Sequence, residues 1–208
     1  MKNICLLLIV LTLSSFACAQ KNDDTLFVAH WNVENLFDSA DDPKTSDEEF
    51  LSSGAKEWND ERLDKKMYNL SRVICSMNYD NGPDLLGVCE VEHQTLLDTM
   101  ITKYLSDKFY KTAYLESLDG RGIDNGIIYD SQKFSLLKVK GHRVDVGGEY
   151  DTRYILEGIF LFEKTDTIYF FVNHWPSRRG GEEESEPKRI SAAKTLRSVV
   201  DTILSKNS

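Results

Sequence analysis

Short apolar runs that end in acidic or amide residues alternate along this chain with longer stretches whose hydrophobic residues recur every three or four positions. Thr25 to Trp31 is apolar and β-branched and stops at a polar cluster, which predicts a strand. Glu61 to Met77 carries Leu63, Met67, Leu70, Val73 and Ile74 at helical spacing, and Thr95 to Leu105 reads as a second amphipathic helix. Between them Asp84 to Val91 follows the turn signal Asn81-Gly82-Pro83 and is short and apolar, hence a buried strand. From Phe109 the pattern changes to strands at Tyr110 to Leu115, Asn125 to Tyr129, Phe134 to Val144, Arg153 to Phe162 and Thr167 to Asn173. Glu186 to Leu204 closes the chain as a helix with Ile190, Ala193, Leu196 and Val200 on one face. Strict strand-helix alternation is lacking, so an α/β sandwich with helices outside the sheets suits this order better than a doubly wound fold.

Residues 1 to 19 stand apart. A short basic start, an apolar run from Ile4 to Leu13 and the small residues Ala17 and Ala19 predict a secretory signal cleaved before Gln20, too short to span a bilayer. Cys18 offers lipidation as an alternative, although Ser15 and Phe16 make a poor lipidation box. The expectation is a secreted or periplasmic protein whose residues 20–208 form one domain, with no later membrane-spanning run. Without internal repeats or linkers, and with 41% hydrophobic and 28% charged residues, disorder and coiled coil are excluded. Asp and Glu outnumber Lys and Arg by 34 to 25, which excludes a globally basic nucleic-acid-gripping surface. A polyanionic substrate therefore requires a local basic patch or a bound cation. Cys75 and Cys89 could pair in an oxidising compartment, but they lie in apolar segments and read as buried free thiols.

Chemistry-bearing residues gather at strand ends. In Leu85 to Glu92 the carboxylate of Glu90 ends a buried strand, so it is solvated, paired or bound to a hard cation such as Mg²⁺, Mn²⁺ or Ca²⁺. Trp31 to Asp38 supplies Asn32, Glu34 and Asn35 at another strand end. Asp119 to Gly126 is a Gly-rich turn whose Arg121 can fork onto a phosphate, or simply reverse the chain. Val172 to Gly181 places His174 just past a strand, followed by Arg178 and Arg179 in a turn.

These four blocks, in this order and at these separations, resemble the endonuclease/exonuclease/phosphatase superfamily, the deoxyribonuclease I-like fold. Asn173-His174-Trp175-Pro176-Ser177-Arg178, followed by Glu186-Pro187-Lys188-Arg189, is similar to its secreted bacterial branch. The resemblance covers Thr25 to about Leu204 and implies a four-layered α/β sandwich that cleaves phosphoesters with Mg²⁺ or a similar ion. It implies Glu90 as the metal ligand, Asn32 as the amide beside metal and phosphate, and His174 as the histidine on the scissile phosphate. Arg121 and Asn125 fall in the family's conserved turn and are expected, with Arg178, near the substrate phosphate. Glu34, Glu92 and Arg179 are neighbours of these positions.

The resemblance also implies a Gly-Asp-Phe-Asn strand and a terminal Ser-Asp-His, neither of which occurs in this sequence. The expectation is therefore the N-terminal portion of a secreted phosphodiesterase acting on nucleic acid, with Arg178, Arg179, Lys188 and Arg189 as its basic rim or as a turn balanced by Glu182 to Glu186. A phosphatase or lipid phosphodiesterase is the close alternative. A non-catalytic remnant or binding module, or a half-domain completed by a partner chain, is the reading from other classes.

Overall fold

A computed structural model of the chain describes residues 25–147, 152–178 and 180–206. The signal-like segment at 1–19 with Cys18, and Arg179, lie outside the described residues.

Two sheets form. The first contains β1 (Val28–Leu36), β2 (Leu85–Val91), β3 (Tyr110–Tyr114) and β4 (Asp124–Asp130) in the order β1-β2-β4-β3. β1 runs parallel to β2, and the other pairings are antiparallel. The second is an antiparallel meander of β5 (Phe134–His142), β6 (Ile155–Phe162) and β7 (Asp166–Val172). The helices are α1 (Asp60–Ser76), α2 (Gln94–Tyr104) and α3 (Glu182–Lys206).

Because side chains alternate across a strand, each face of the first sheet has its own core. Leu86, Val88 and Ile128 pack under Met67, Ile74, Leu97 and Met100 of α1 and α2. On the opposite face Leu85, Cys89, Ile127 and Tyr129 meet Leu156, Phe160 and Val172 of the second sheet. α3 meets one part of the outer face of that second sheet, where Ala192 and Leu196 pack on Ile155 and Phe171, and most of the helix is exposed. The order helices, sheet, sheet and helix matches the expected sandwich, with the first sheet buried on both faces and α3 only partly packed: Ile190 of its expected apolar face is 44% exposed.

Gly87 sets how closely the sheets approach. A β-carbon there would lie 2.8 Å from Val172 Cγ2, so only glycine lets the end of β7 come down onto β2. That contact carries the residues after Val172 to the C-terminal end of β2.

Two boundaries differ most from the sequence expectation. β1 runs on past Trp31 to Leu36, because its polar end is paired across an irregular register rather than released as a loop. α3 begins at Glu182 rather than Glu186 and contains Pro187; Glu182, Glu183 and Glu184 occupy its first turn, where carboxylates complement the positive end of the helix dipole. α1 starts where expected, its first turn capped by the Asn59 side chain, which accepts from Arg62 N at 3.0 Å. Both described cysteines are free, Cys89 buried and Cys75 half-buried. Among the described residues no helix is long and apolar enough to cross a membrane.

Candidate active site

The site grows from an irregularity in pairing. β2 slips register against β4 between Cys89 and Val91, and β1 slips against β2 between Asn32 and Leu36. Glu90 is thus an extra residue in its strand, a bulge that turns its side chain toward the strand ends. Its φ is 65°, and Glu34 and Asn35 on the neighbouring strand have φ of 58° and 60°. Left-handed backbone costs a residue with a β-carbon about 1–2 kcal/mol, so it persists only where the surroundings impose it.

Those surroundings are hydrogen bonds that converge on one carboxylate. Asn32 Nδ2 donates to Glu90 Oε1 at 3.0 Å, and the Asn35 backbone N–H donates to Glu90 Oε2 at 3.0 Å. Asn32 Oδ1 in turn accepts from the Glu34 N–H at 2.8 Å, fixing the amide's orientation. From α1 the Lys66 ammonium donates to the Glu34 carbonyl and, at 3.4 Å, to the Asn35 carbonyl.

Just beyond β7, His174 Nε2 lies 3.4 Å from Glu90 Oε1. The His174 carbonyl accepts from Arg153 Nε at 3.0 Å, and Arg153 Nη1 reaches Asp119 Oδ2 at 3.1 Å. Burial is the main cause that pushes His174 down to about 4, the Arg153 and Arg121 charges add to it and Glu90 opposes it. Near neutral pH the imidazole is therefore uncharged, a donor through one nitrogen rather than an acid. Its Nδ1 is buried without a hydrogen-bond partner.

Asn125, 2% exposed, sits behind this centre between the sheets. Its Nδ2 donates to the Tyr154 carbonyl at 2.8 Å and the Val172 carbonyl at 3.4 Å, while Oδ1 is buried without a partner. Arg121 is on the surface, 3.7 Å from Asp119 Oδ1, close enough for its charge to be felt at His174. Arg178 is not part of this cluster: it is exposed in its turn and pairs with Glu182 at 3.4 Å. Of the sequence-derived residues, Asn32, Glu90 and His174 come together directly and Asn125 and Arg121 flank them. Arg153 was read only as the start of a strand; an arginine opening an otherwise apolar segment is the signal that marks it.

The donor set fits one hard cation. Glu90 offers two oxygens, each with one donor in the structure and a side chain only 15% exposed, and Mg²⁺ is commonly held by one or two carboxylates together with substrate phosphate and water. A second acidic group lies two residues further on. Asp38, Glu92 and His93 place one ligand atom each within 4.8 Å of one another, a spacing that could hold a metal ion. Glu92 Oε2 accepts from the Asp38 N–H at 2.7 Å.

Residues 27–208 match the sequence profile of the endonuclease/exonuclease/phosphatase family, and the chain belongs to that family. Among solved structures it is similar to a family protein from Bacteroides thetaiotaomicron, at TM-score 0.55 and 15% identity over 86% of this chain and 59% of that one. The mannosyl-6-phosphatase Bt3783 of the same organism gives TM-score 0.54 and 15% identity, over 86% of this chain and 60% of its own. A β-hairpin deletion mutant of beta toxin from Staphylococcus aureus gives TM-score 0.54 and 12% identity, over 89% and 63%. The chain thus spans about three fifths of the length of the structures it resembles. No curated protein matches its sequence.

Proposed function

We propose that this chain carries the metal- and phosphate-binding part of a divalent-metal-dependent phosphodiesterase acting on nucleic acid. The observation that carries the reading is the meeting of Glu90 with Asn32, the Asn35 N–H and His174 at a bulged strand end. Glu90 would hold the ion, which when bound supplies a positive charge opposite the phosphoryl oxygens. Asn32 and the Asn35 N–H keep both carboxylate oxygens oriented toward that role. Neutral His174 donates a hydrogen bond to a phosphoryl oxygen, and Arg153 fixes its backbone while adding positive potential from behind. At a pKa of about 4 the imidazole is a weak base, so its part here is binding and charge stabilisation.

Nucleic acid is favoured as substrate because cations flank the site in a chain of net charge -9, Arg121 at the surface beside Asp119 and Lys66 at the Glu34 and Asn35 carbonyls. The signal-like segment at 1–19 supports action outside the cytoplasm. The other reading is a binding module without turnover. Plasmid nicking, run beside a small phosphate monoester and a phospholipid with Mg²⁺, Mn²⁺ or EDTA, separates them. Divalent-dependent nicking abolished by Glu90→Ala supports the phosphodiesterase. Cleavage of the monoester or lipid alone would replace the substrate class, and no hydrolysis above the Glu90→Ala control would leave the binding module.

A further inference from the structure

The acidic group beyond Glu90 has a chemistry of its own. Asp38, Glu92 and His93 each bring one ligand atom within 4.8 Å of the other two. They come from three places: just after β1, just after β2, and the residue that opens α2. Phe37 stacks on Phe50 with centroids 4.1 Å apart, which folds the segment after β1 back on itself. Asp47, whose carbonyl accepts from the Phe50 N–H at 2.7 Å, returns with it, and its charge is felt at Glu92.

Three features separate this group from a solvated acidic patch. Glu92 and Asp47 are each 1% exposed. Among the described residues no lysine or arginine lies within 4.0 Å of Asp38, Asp47 or Glu92, whereas the buried Asp84 and Glu157 each meet a lysine at 2.6 and 3.0 Å. Asp124, also buried, is held instead by the Ser117 N–H and the Tyr114 hydroxyl. Asp47 Oδ2 accepts from the Asp42 N–H at 3.1 Å, but Asp47 Oδ1 is buried without a partner. Buried anions are ordinarily paired or bound to a metal, because bare burial is costly.

His93 supplies the direction. Its Nε2 lies 3.9 Å from Glu92 Oε1, beyond a hydrogen bond yet within the span of about 4.3 Å that two ligands of one ion can cover. Its Nδ1 faces Glu116 Oε2 at 3.7 Å. A carboxylate behind the ring is the arrangement that orients metal-ligating histidines. One imidazole among carboxylates suits a transition-metal dication such as Mn²⁺ or Zn²⁺, whereas Ca²⁺ takes oxygen ligands throughout.

We propose that Asp38, Glu92 and His93 form a second divalent-cation site for Mn²⁺ or Zn²⁺, with Asp47 Oδ1 as a further oxygen and Glu116 orienting the imidazole. The ion ties the segment after β1 to the end of β2 and the start of α2, and it supplies the positive charge that no lysine or arginine brings there. The site shares no residue with the Glu90 cluster, and the proposal does not rest on the phosphodiesterase reading.

The test uses full-chain Glu90→Gln protein, in which the charge of the first cluster is removed and the second is intact. The protein is stripped with EDTA and dialysed. It is then titrated with Mn²⁺, free ion being read by its electron paramagnetic resonance, and with Zn²⁺ and Ca²⁺ by calorimetry. One Mn²⁺ or Zn²⁺ per chain is expected, with thermal unfolding raised by roughly 5–10 °C at about 100 times the Kd. His93→Gln and, separately, Asp38→Asn should abolish that binding. Glu116→Gln, whose side chain is 55% exposed and outside the core, should weaken it by about 10–100-fold while unfolding in EDTA stays unchanged. Absence of a bound ion in the Glu90→Gln protein overturns the proposal, as does binding that survives both His93→Gln and Asp38→Asn, or binding of Ca²⁺ alone. Nicking by the Glu90-containing protein is read separately: an ion bound here without any hydrolysis removes the phosphodiesterase and keeps this site.

Discussion

Glu90 and Glu92 are two residues apart at the end of the same strand, and the fold makes opposite things of them. Glu90 sits on a bulge with φ of 65°, its carboxylate bonded by the Asn32 amide and the Asn35 N–H, 15% exposed and 3.4 Å from His174 Nε2. Glu92 is 1% exposed, bonded by the Asp38 N–H and lying among Asp38, His93 and Asp47. Burial pushes Glu92 up to about 7; the Asp38 N–H and His93 oppose this and the Asp38 and Asp47 charges add to it. A carboxylate with matched donors and partial exposure is a usable anion. One buried among other acids is a charge the fold tolerates at a cost.

The largest expected effect follows from the first carboxylate. Glu90→Gln keeps the size and one acceptor but removes the charge, and should lower divalent-dependent phosphodiester hydrolysis by about 10²–10³-fold with little change in thermal unfolding. A loss of stability larger than the loss of activity would mean that Glu90 is a structural clasp, and the contrast with Glu92 would collapse.

Next comes Arg153, which holds His174 beside Glu90. It is 9% exposed and paired with Asp119, so Arg153→Met should cost about 1–3 kcal/mol in urea unfolding by removing the closer of that carboxylate's two cationic partners and leaving it Arg121 at 3.7 Å. The double variant Arg153→Met/Asp119→Leu should recover much of that stability while activity remains low, because the His174 carbonyl stays unanchored.

The second carboxylate predicts a pH dependence of definite sign. Folded Glu92 binds its proton more tightly than an unfolded glutamate near 4.5, so the folded state takes up a proton and stability falls as pH rises from about 4.5 through about 7. Glu116 and Asp124, also raised by burial, push the same way. In EDTA, Glu92→Gln should flatten this slope and gain up to about 3 kcal/mol at pH 8, with no difference below pH 4.5. Equal slopes in the two proteins would show that Glu92 is solvated.

The sheet-to-sheet approach that brings the end of β7 onto β2 is tested by Gly87→Ala. The new methyl would press on Val172 and cost about 1–3 kcal/mol, and Val172→Ala should relieve it. The smallest effect concerns Cys89, next to Glu90: burial pushes its thiol up to about 12, so iodoacetamide at pH 8 should leave it unmodified in the folded protein while Cys75 reacts slowly.

Periodicity and punctuation alone identified every long element. Apolar residues at helical spacing from Leu63 to Ile74 and the turn before Asp84 reflect local geometry that any environment must respect. Motif order identified Asn32, Glu90 and His174, and the structure brings those three together. What the sequence left open was decided by contacts between distant segments. The bulge at Glu90, the extension of β1 to Leu36, the pairing of Arg178 with Glu182 and the place of Arg153 beneath His174 depend on partners far along the chain or on which donors happen to face inward. Glu90 and Glu92 look alike in the sequence because a strand end specifies only that a carboxylate is there. Whether it is bonded and accessible or buried among like charges is fixed by which distant groups meet it, Asn32 and Asn35 at Glu90 and Asp38 at Glu92, since solvation and Coulomb energy depend on distances that only the tertiary structure sets.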